Sequence, residues 1–265
     1  MAGPTTAQRG ARKTAPSRPP RRVPRLRFRL PGRRTVLLTL VAAVLVGGAG
    51  TWVLYGSSWL RAERVNVRGT EVLTAGEVEK AAAVPLDSPL ISVDTDAIER
   101  RLRARLPRIA DVRASRSWPH TISLEVVERK PEVALRTNGK FVEVDADGVR
   151  FATVGHAPKG VPLLEMDIAP SPSSRRFGAD RLRREGARVA AALPAPVHRD
   201  TRAIRVRSFD SITVELTGGR TVMWGSGERG EQKAAALTAL LKAVPDAAHF
   251  DVSAPGAPAV SGQLT

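Results

Sequence analysis

The sequence predicts an α+β protein with one N-terminal transmembrane helix, a small β-α-α-β-β layer, and then a mainly antiparallel β domain with helices. Three observations carry that prediction. Residues 35–55, TVLLTLVAAVLVGGAGTWVLY, are apolar and uncharged. A strand-helix-helix-strand-strand order follows within about 70 residues, the signature of helices layered on one face of a sheet. Beyond Pro131, Asn-Gly and Asp-Gly dipeptides separate alternating segments, as in two-residue hairpins.

The apolar run comes first in the chain. At about 1.5 Å per residue it spans roughly 30 Å of hydrocarbon as one helix, and only a helix satisfies its own backbone there. The 34 residues before it hold 11 Arg or Lys and no Asp or Glu. Basic flanks stay cytoplasmic, so residues 1–34 are expected inside as a disordered basic tail, Pro- and Arg-rich, with no means of building a core. The bulk of the chain is then extracytoplasmic, behind a linker at 56–60. A cleaved signal peptide is the competing reading. The run exceeds the 7–15 residues of a signal core, and Trp52, Tyr55 and Trp59 suit a membrane-interface belt better than a small-residue cleavage site. Ala43, Gly47 and Thr51 form a small-residue stripe that could face another transmembrane helix.

The net charge of +16 suggests nucleic acid until it is split by compartment. The tail carries +11, leaving 31 basic and 26 acidic residues elsewhere. Aromatic residues do not interleave the tail's charges beyond Phe28, so no nucleic-acid partner is expected. Cysteine is absent, which excludes disulfides, thiol nucleophiles and Cys-ligated metals.

Residues 63–68 alternate around Val65 and Val67, and Gly69 ends the strand. Thr74 to Glu77 reads as a capping box opening a helix with Val78, Ala81 and Ala82 on its buried side. Pro85 stops it. Asp94 caps a second helix carrying Ile98, Leu102 and Leu106, ended by Pro107. Ala110, Val112 and Ala114 alternate in the next strand; Trp118-Pro119-His120 turns; Ile122, Leu124 and Val126 alternate in the last. Val65, Val67, Ile122 and Leu124 are expected in the core.

In the second half, Asn138-Gly139 joins EVALRT to KFVEVD, and Asp147-Gly148 precedes VRFA. Residues 155–174 read as a long loop, and 179–193 as a helix on Leu182, Val189 and Leu193, weakened by Gly186. Two strands follow, around Ile204 and Val206 and around Ile212 to Leu216. Gly218-Gly219 then turns into RTVMW. A helix over 231–244 bears Leu237, Leu240, Leu241 and Val244. A last strand covers 249–253, and 255–265 is expected as a flexible C-terminal tail.

These residues carry a resemblance. VNVRG, LTAGEVEKAAAV, LISVDTDAIERRL and SWPHTISLEVVERKP, in that order, look like a polypeptide-transport-associated (POTRA) domain over residues 61–130. Behind a single anchor and a basic tail, the chain resembles the FtsQ/DivIB family of bacterial cell-division proteins. Residues 131–254 resemble that family's β domain, Lys233 and the Asp-Val-Ser exit included. The resemblance implies a non-enzymatic scaffold at the division septum. It implies FtsL-type and FtsB/DivIC-type partners, proximity to the septal peptidoglycan synthase complex, and a role in regulating septal wall synthesis. It also implies that the C-terminal edge region receives a segment of a coiled-coil partner, here matched to Phe250, Asp251, Val252, Ser253 and Ala254. Better-known Gram-negative members carry a basic residue and an aromatic where this chain has Ser253 and Ala254, which removes an aromatic anchor. The alternative reading is a POTRA-type chaperone for exported polypeptides, although such proteins repeat the domain.

Catalytic constellations are not evident. His120, His156, His198 and His249 lack ligand spacing, so no metal is expected. Glu125 and Glu128 read as a solvated pair. Gly225, Gly227 and Gly230 form a literal G-x-G-x-x-G with Asp251 about 20 residues on, the spacing of a dinucleotide fingerprint. Against it stand the Gly-Gly hairpin, which makes the preceding strands antiparallel, and the short chain after Asp251. The expectation is a turn-to-helix connection and no cofactor.

Overall fold

In the computed structural model, residues 32–168 and 172–263 are described. The disorder expected for residues 1–34 therefore lies outside the described residues, except at 32–34. Helix α1, Arg33–Gly56, has 24 residues and a mean hydropathy of 2.1 over its most apolar stretch. None of its residues is buried. It is long and apolar enough to cross a membrane. Residues Met1–Gly50 and Thr51–Thr265 are separate compact units.

The first domain follows the expected order: β1 (Arg64–Arg68), α2 (Ala75–Ala82), α3 (Thr95–Arg105), β2 (Ile109–Ser117) and β3 (Thr121–Glu128). The sheet order is β1-β3-β2, with β1 parallel and β2 antiparallel to the central strand. Both caps form. Thr74 and Glu77 close a reciprocal capping box, and Asp94 accepts from the Ala97 N–H at 2.9 Å. Val78, Ala82, Ile98 and Leu102 pack on Ile122, Leu124 and Val126. Val65 and Val67 lie at the rim of this core, half-buried rather than inside it. Gly69 is obligatory: its φ is +84°, and a Cβ there would lie 2.1 Å from the Val126 carbonyl oxygen.

Glu125 and Glu128 are not a solvated pair. Side chains alternate along a strand, so residues three apart lie on opposite faces. Glu125 is exposed, while Glu128 faces inward at 9% exposure. Its carboxylate accepts from the backbone N–H groups of Glu71, Val72 and Leu73 at 2.9–3.2 Å.

The second domain is one nine-stranded sheet. Its strands are β4 (Val133–Thr137), β5 (Lys140–Val144), β6 (Arg150–Val154), β7 (Leu163–Met166), β8 (Thr201–Ser208), β9 (Ser211–Leu216), β10 (Thr221–Gly225), β11 (Ala247–Asp251) and β12 (Ala259–Gln263). The order is β12-β11-β10-β9-β8-β7-β4-β5-β6. Five neighbouring pairs are antiparallel. Three are parallel: β4 with β7, β7 with β8, and β10 with β11. Asn138 and Gly139 both adopt positive φ in the β4–β5 turn, as expected. Helices α4 (Pro172–Ala192), α5 (Ala195–Asp200) and α6 (Gly230–Ala243) complete the domain, with Gly178 breaking α4. Leu182, Val189, Leu237, Ile204, Val214, Trp224 and Phe250 share one core.

Three expectations fail here. The loop expected over 155–174 contains β7, which wedges in parallel between β4 and β8. Gly186 is a requirement rather than a weakness. A Cβ there would lie 2.5 Å from Leu164 and 2.9 Å from Val206, so the glycine lets α4 lie flat on β7 and β8. The tail expected at 255–265 instead contains β12, paired antiparallel with β11.

The two domains meet through charge. Arg108 donates to Glu143 at 2.7 Å, with both side chains largely buried. Arg129 pairs with Asp145, whose other oxygen accepts the Asp147 and Val149 N–H groups of the turn into β6. Both arginines come from the first sheet's ends and both carboxylates from β5 or its exit.

Candidate functional site

The C-terminal end of the large sheet is where the sequence points. Of the five expected contact residues, Phe250 and Val252 are core, at 1% and 0% exposure. Asp251 and Ala254 are exposed and Ser253 is half-buried. The Asp251 carboxylate accepts the Ser253 N–H at 2.9 Å and holds the turn leaving β11.

Strand β11 is not an edge. The Val252 N–H donates to the Met223 carbonyl at 3.0 Å, so this side of the strand is spent on β10. Backbone groups alternate direction along a strand, so Ala247, His249 and Asp251 turn theirs toward β12. Their register partners are Gln263, Ser261 and Ala259. That leaves the N–H and C=O groups of Val260 pointing outward from β12, the terminal strand of the sheet. The sequence missed this edge because 255–265 is rich in Pro, Gly and Ala and carries no alternation. Its strand character comes from pairing with β11.

Among the described residues, this edge lacks the usual protection. Edge strands are commonly blunted by charges, Pro or cover, whereas AVSGQ has neither charge nor Pro. Val260 is 37% exposed and Met223 38%. Beside the edge, on the face opposite α6, runs a surface groove of about 400 Å³ lined by Thr213, Thr221, Met223, His249, Asp251 and Ser261. Thr221 and His249 tie its floor at 2.8 Å. The opposite end of the sheet, β6, begins at Arg150. An uncharged strand with outward backbone groups and a groove alongside can accept an extended segment and seat its alternate side chains.

The glycine motif lies nearby, and its setting differs from the expectation. Strands β10 and β11 are parallel, joined by α6, so the motif does sit in a β-α-β crossover. The glycines nevertheless serve packing. Gly225 has φ +80°, and a Cβ there would lie 3.0 Å from the Ser253 Cβ. At Gly227 a Cβ would lie 2.3 Å from the Glu185 carboxylate, and at Gly230 2.8 Å from Ala192. The buried Glu185 side chain therefore fills the space beside Gly227, where the glycine gives room for its carboxylate. The loop is closed from inside by Lys233, 1% exposed, whose Nζ donates to the Ser226 carbonyl at 2.8 Å. Burial, and secondarily Arg229, holds its pKa below the ordinary lysine value. Among the described residues, no group of three or more His, Asp or Glu is placed to hold a metal ion.

Comparison with known sequences gives concordant results. A family model described as "POTRA domain, FtsQ-type" matches residues 60–129. A second, described as "Cell division protein FtsQ/DivIB, C-terminal", matches 133–254. The chain is 63% identical over 237 residues to the cell division protein FtsQ of Streptomyces bingchenggensis, covering 89% of each. It is 59% identical to that of Streptomyces coelicolor over 99% of this chain and 100% of the relative. With the FtsQ of Mycolicibacterium smegmatis it shares 36% identity over 91% of this chain and 68% of the relative. Among solved structures, the major extracytoplasmic domain of DivIB from Geobacillus stearothermophilus overlaps 44% of this chain and 95% of its own, at 16% identity and a TM-score of 0.32.

Proposed function

Because the chain belongs to the FtsQ/DivIB family of cell-division proteins, we propose that it is a non-enzymatic scaffold that captures division partners by strand addition at β12. Helix α1 would anchor it, with the basic N-terminus cytoplasmic and both sheets outside, at the septum. FtsL-type and FtsB/DivIC-type subunits would be its partners, and through them it would help regulate septal wall synthesis. Confinement in one membrane would raise their effective concentration and strengthen individually weak contacts.

The observation that carries this reading is the uncharged outer edge of β12. It revises the contact set read from the sequence. Phe250 and Val252 support the edge from the core, Asp251 lines the groove, Ser253 and Ala254 follow in the turn leaving β11, and Val260 would present the backbone. A charge at Val252 would disrupt the core, so it tests folding rather than binding.

Val260→Pro is the sharper probe. It removes an outward N–H without touching the ladder to β11, a place where proline is tolerated. Expected is a chain of unchanged melting temperature that no longer retrieves FtsL- and FtsB-type proteins from membranes. Undiminished recovery would remove the edge from consideration. Depletion should give filaments without septa; normal septation would refute the scaffold.

A further inference from the structure

We propose that the first domain makes a second contact with the bilayer, seating the end that carries Trp118 and Leu86 in the headgroup layer beside the anchor. This rests on the reading of α1 as a membrane anchor. The argument starts from connectivity. Only residues 57–61 separate the last residue of α1, Gly56, from Ala62, which is fully buried in the first domain's core. Fully extended, that stretch spans at most about 20 Å. Part of it is already shortened by the 3-10 turn at Ser58–Leu60. The connection therefore limits how far this end of the domain can lie from the exit of α1 to about 20 Å.

Two loops are stitched to the incoming chain there. The Ala62 N–H donates to Ser88 and the Ala62 carbonyl accepts from the Asp87 N–H, both at 2.9 Å. Arg61 donates to the Asp87 carbonyl at 2.8 Å. On the other side, the Glu63 and Arg64 N–H groups share the His120 carbonyl, at 2.9 and 3.2 Å. The loop before α3 and the β2–β3 turn are thereby fixed to the same end as the anchor exit.

Their outward side chains are apolar. Leu86 is 48% exposed and Trp118 50%; Trp59, on the tether, is 70% exposed. Of the described tryptophans beyond α1, Trp59 and Trp118 are exposed and both lie here, while Trp224 is fully buried. Tryptophan is the side chain that settles at the headgroup level, with an apolar ring and one N–H donor. Charge at this end is mixed. Arg61 and Arg64 stand among Glu63 and Asp87 in this stretch, the Arg64 guanidinium lies 3.2 Å from the His120 ring, and Arg116 is engaged with the Leu90 and Val93 carbonyls. The contact is therefore chiefly an aromatic and aliphatic one with the outer leaflet. Its consequence would be a restricted tilt of the first domain, which would then have two attachment points at the bilayer.

The test uses the full chain with Trp52→Phe and Trp59→Phe, reconstituted into phosphatidylcholine–phosphatidylglycerol vesicles with and without brominated acyl chains. Emission then comes from Trp118 and the buried Trp224. Expected are flotation with the vesicles and a clear loss of emission in brominated lipid. That loss should vanish when Trp118→Phe is added and shrink with Leu86→Glu. A floating chain whose emission brominated lipid leaves unchanged overturns the docking and spares the anchor. Quenching undiminished by Leu86→Glu also overturns it. A chain that fails to float overturns both.

Discussion

Glu128 is a carboxylate that faces the protein rather than water, holding three backbone N–H groups of the segment leading into α2. Removing it strands those donors at the core's rim. Glu128→Ala should cost about 1–3 kcal/mol, the range for orphaning buried polar partners, read as a lower denaturation midpoint of the detergent-solubilised chain. Lys233 makes the opposite kind of prediction. Its pKa is depressed by burial, with Arg229 adding to the shift. Between its folded value and the ordinary value of 10.5, the unfolded chain binds more protons than the folded one. Stability should therefore rise with pH up to about the ordinary value and then level off. In Lys233→Met, which keeps the volume and cannot titrate, that rise should disappear from melts recorded across the window. At this scale the sequence was partly legible. The strand period already puts Glu125 and Glu128 on opposite faces. No local pattern shows that 71–73 folds over the second of them, because that contact joins residues more than fifty apart.

At the scale of elements, Gly186 decides how closely α4 approaches β7 and β8. Gly186→Val should destabilise by about 1–3 kcal/mol through overpacking, with Gly186→Ala between it and the parent, in thermal melts. Strand β12 offers a contrast within a single element. Ser261 spends its backbone on His249, whereas Val260 faces outward. Ser261→Pro should lower the melting temperature as well as partner recovery, while Val260→Pro should affect recovery alone. Identical behaviour of the two would mean that the outward row is not the docking surface. The capped helices α2 and α3 and the Asn138-Gly139 hairpin were readable because their signals are local. Strand β7 was not, because four residues flanked by prolines become a strand only through neighbours on both sides. The parallel pairing of β10 and β11 had a visible cue: a helix of 14 residues between two strands makes a crossover.

For the whole molecule, two ion pairs join the sheets, and the Arg108 guanidinium also lies 5.1 Å over the Phe151 ring. Arg108–Glu143 has side-chain exposures of 15% and 8%. Truncating one partner of a buried pair typically costs about 3–5 kcal/mol. Arg108→Ala and Arg129→Ala should therefore each loosen the interface, visible as faster hydrogen exchange in β5 and the turn after it. A double-mutant cycle should show coupling, since the two pairs dock on Glu143 and Asp145, two residues apart at the end of β5. Independent effects would mean that the pairs act separately. What the sequence determined alone is everything set by local periodicity and by partition between water and apolar phases. That includes the apolar span and its basic flank, the order of the first domain, and the alternating strands around Ile204, Val214 and Val222. These depend on neighbours a few residues apart. Only the tertiary structure decided which strand closes the sheet. Whether a backbone edge is open depends on which distant segment pairs with it, and β12 takes that place with residues that carry no strand signal of their own.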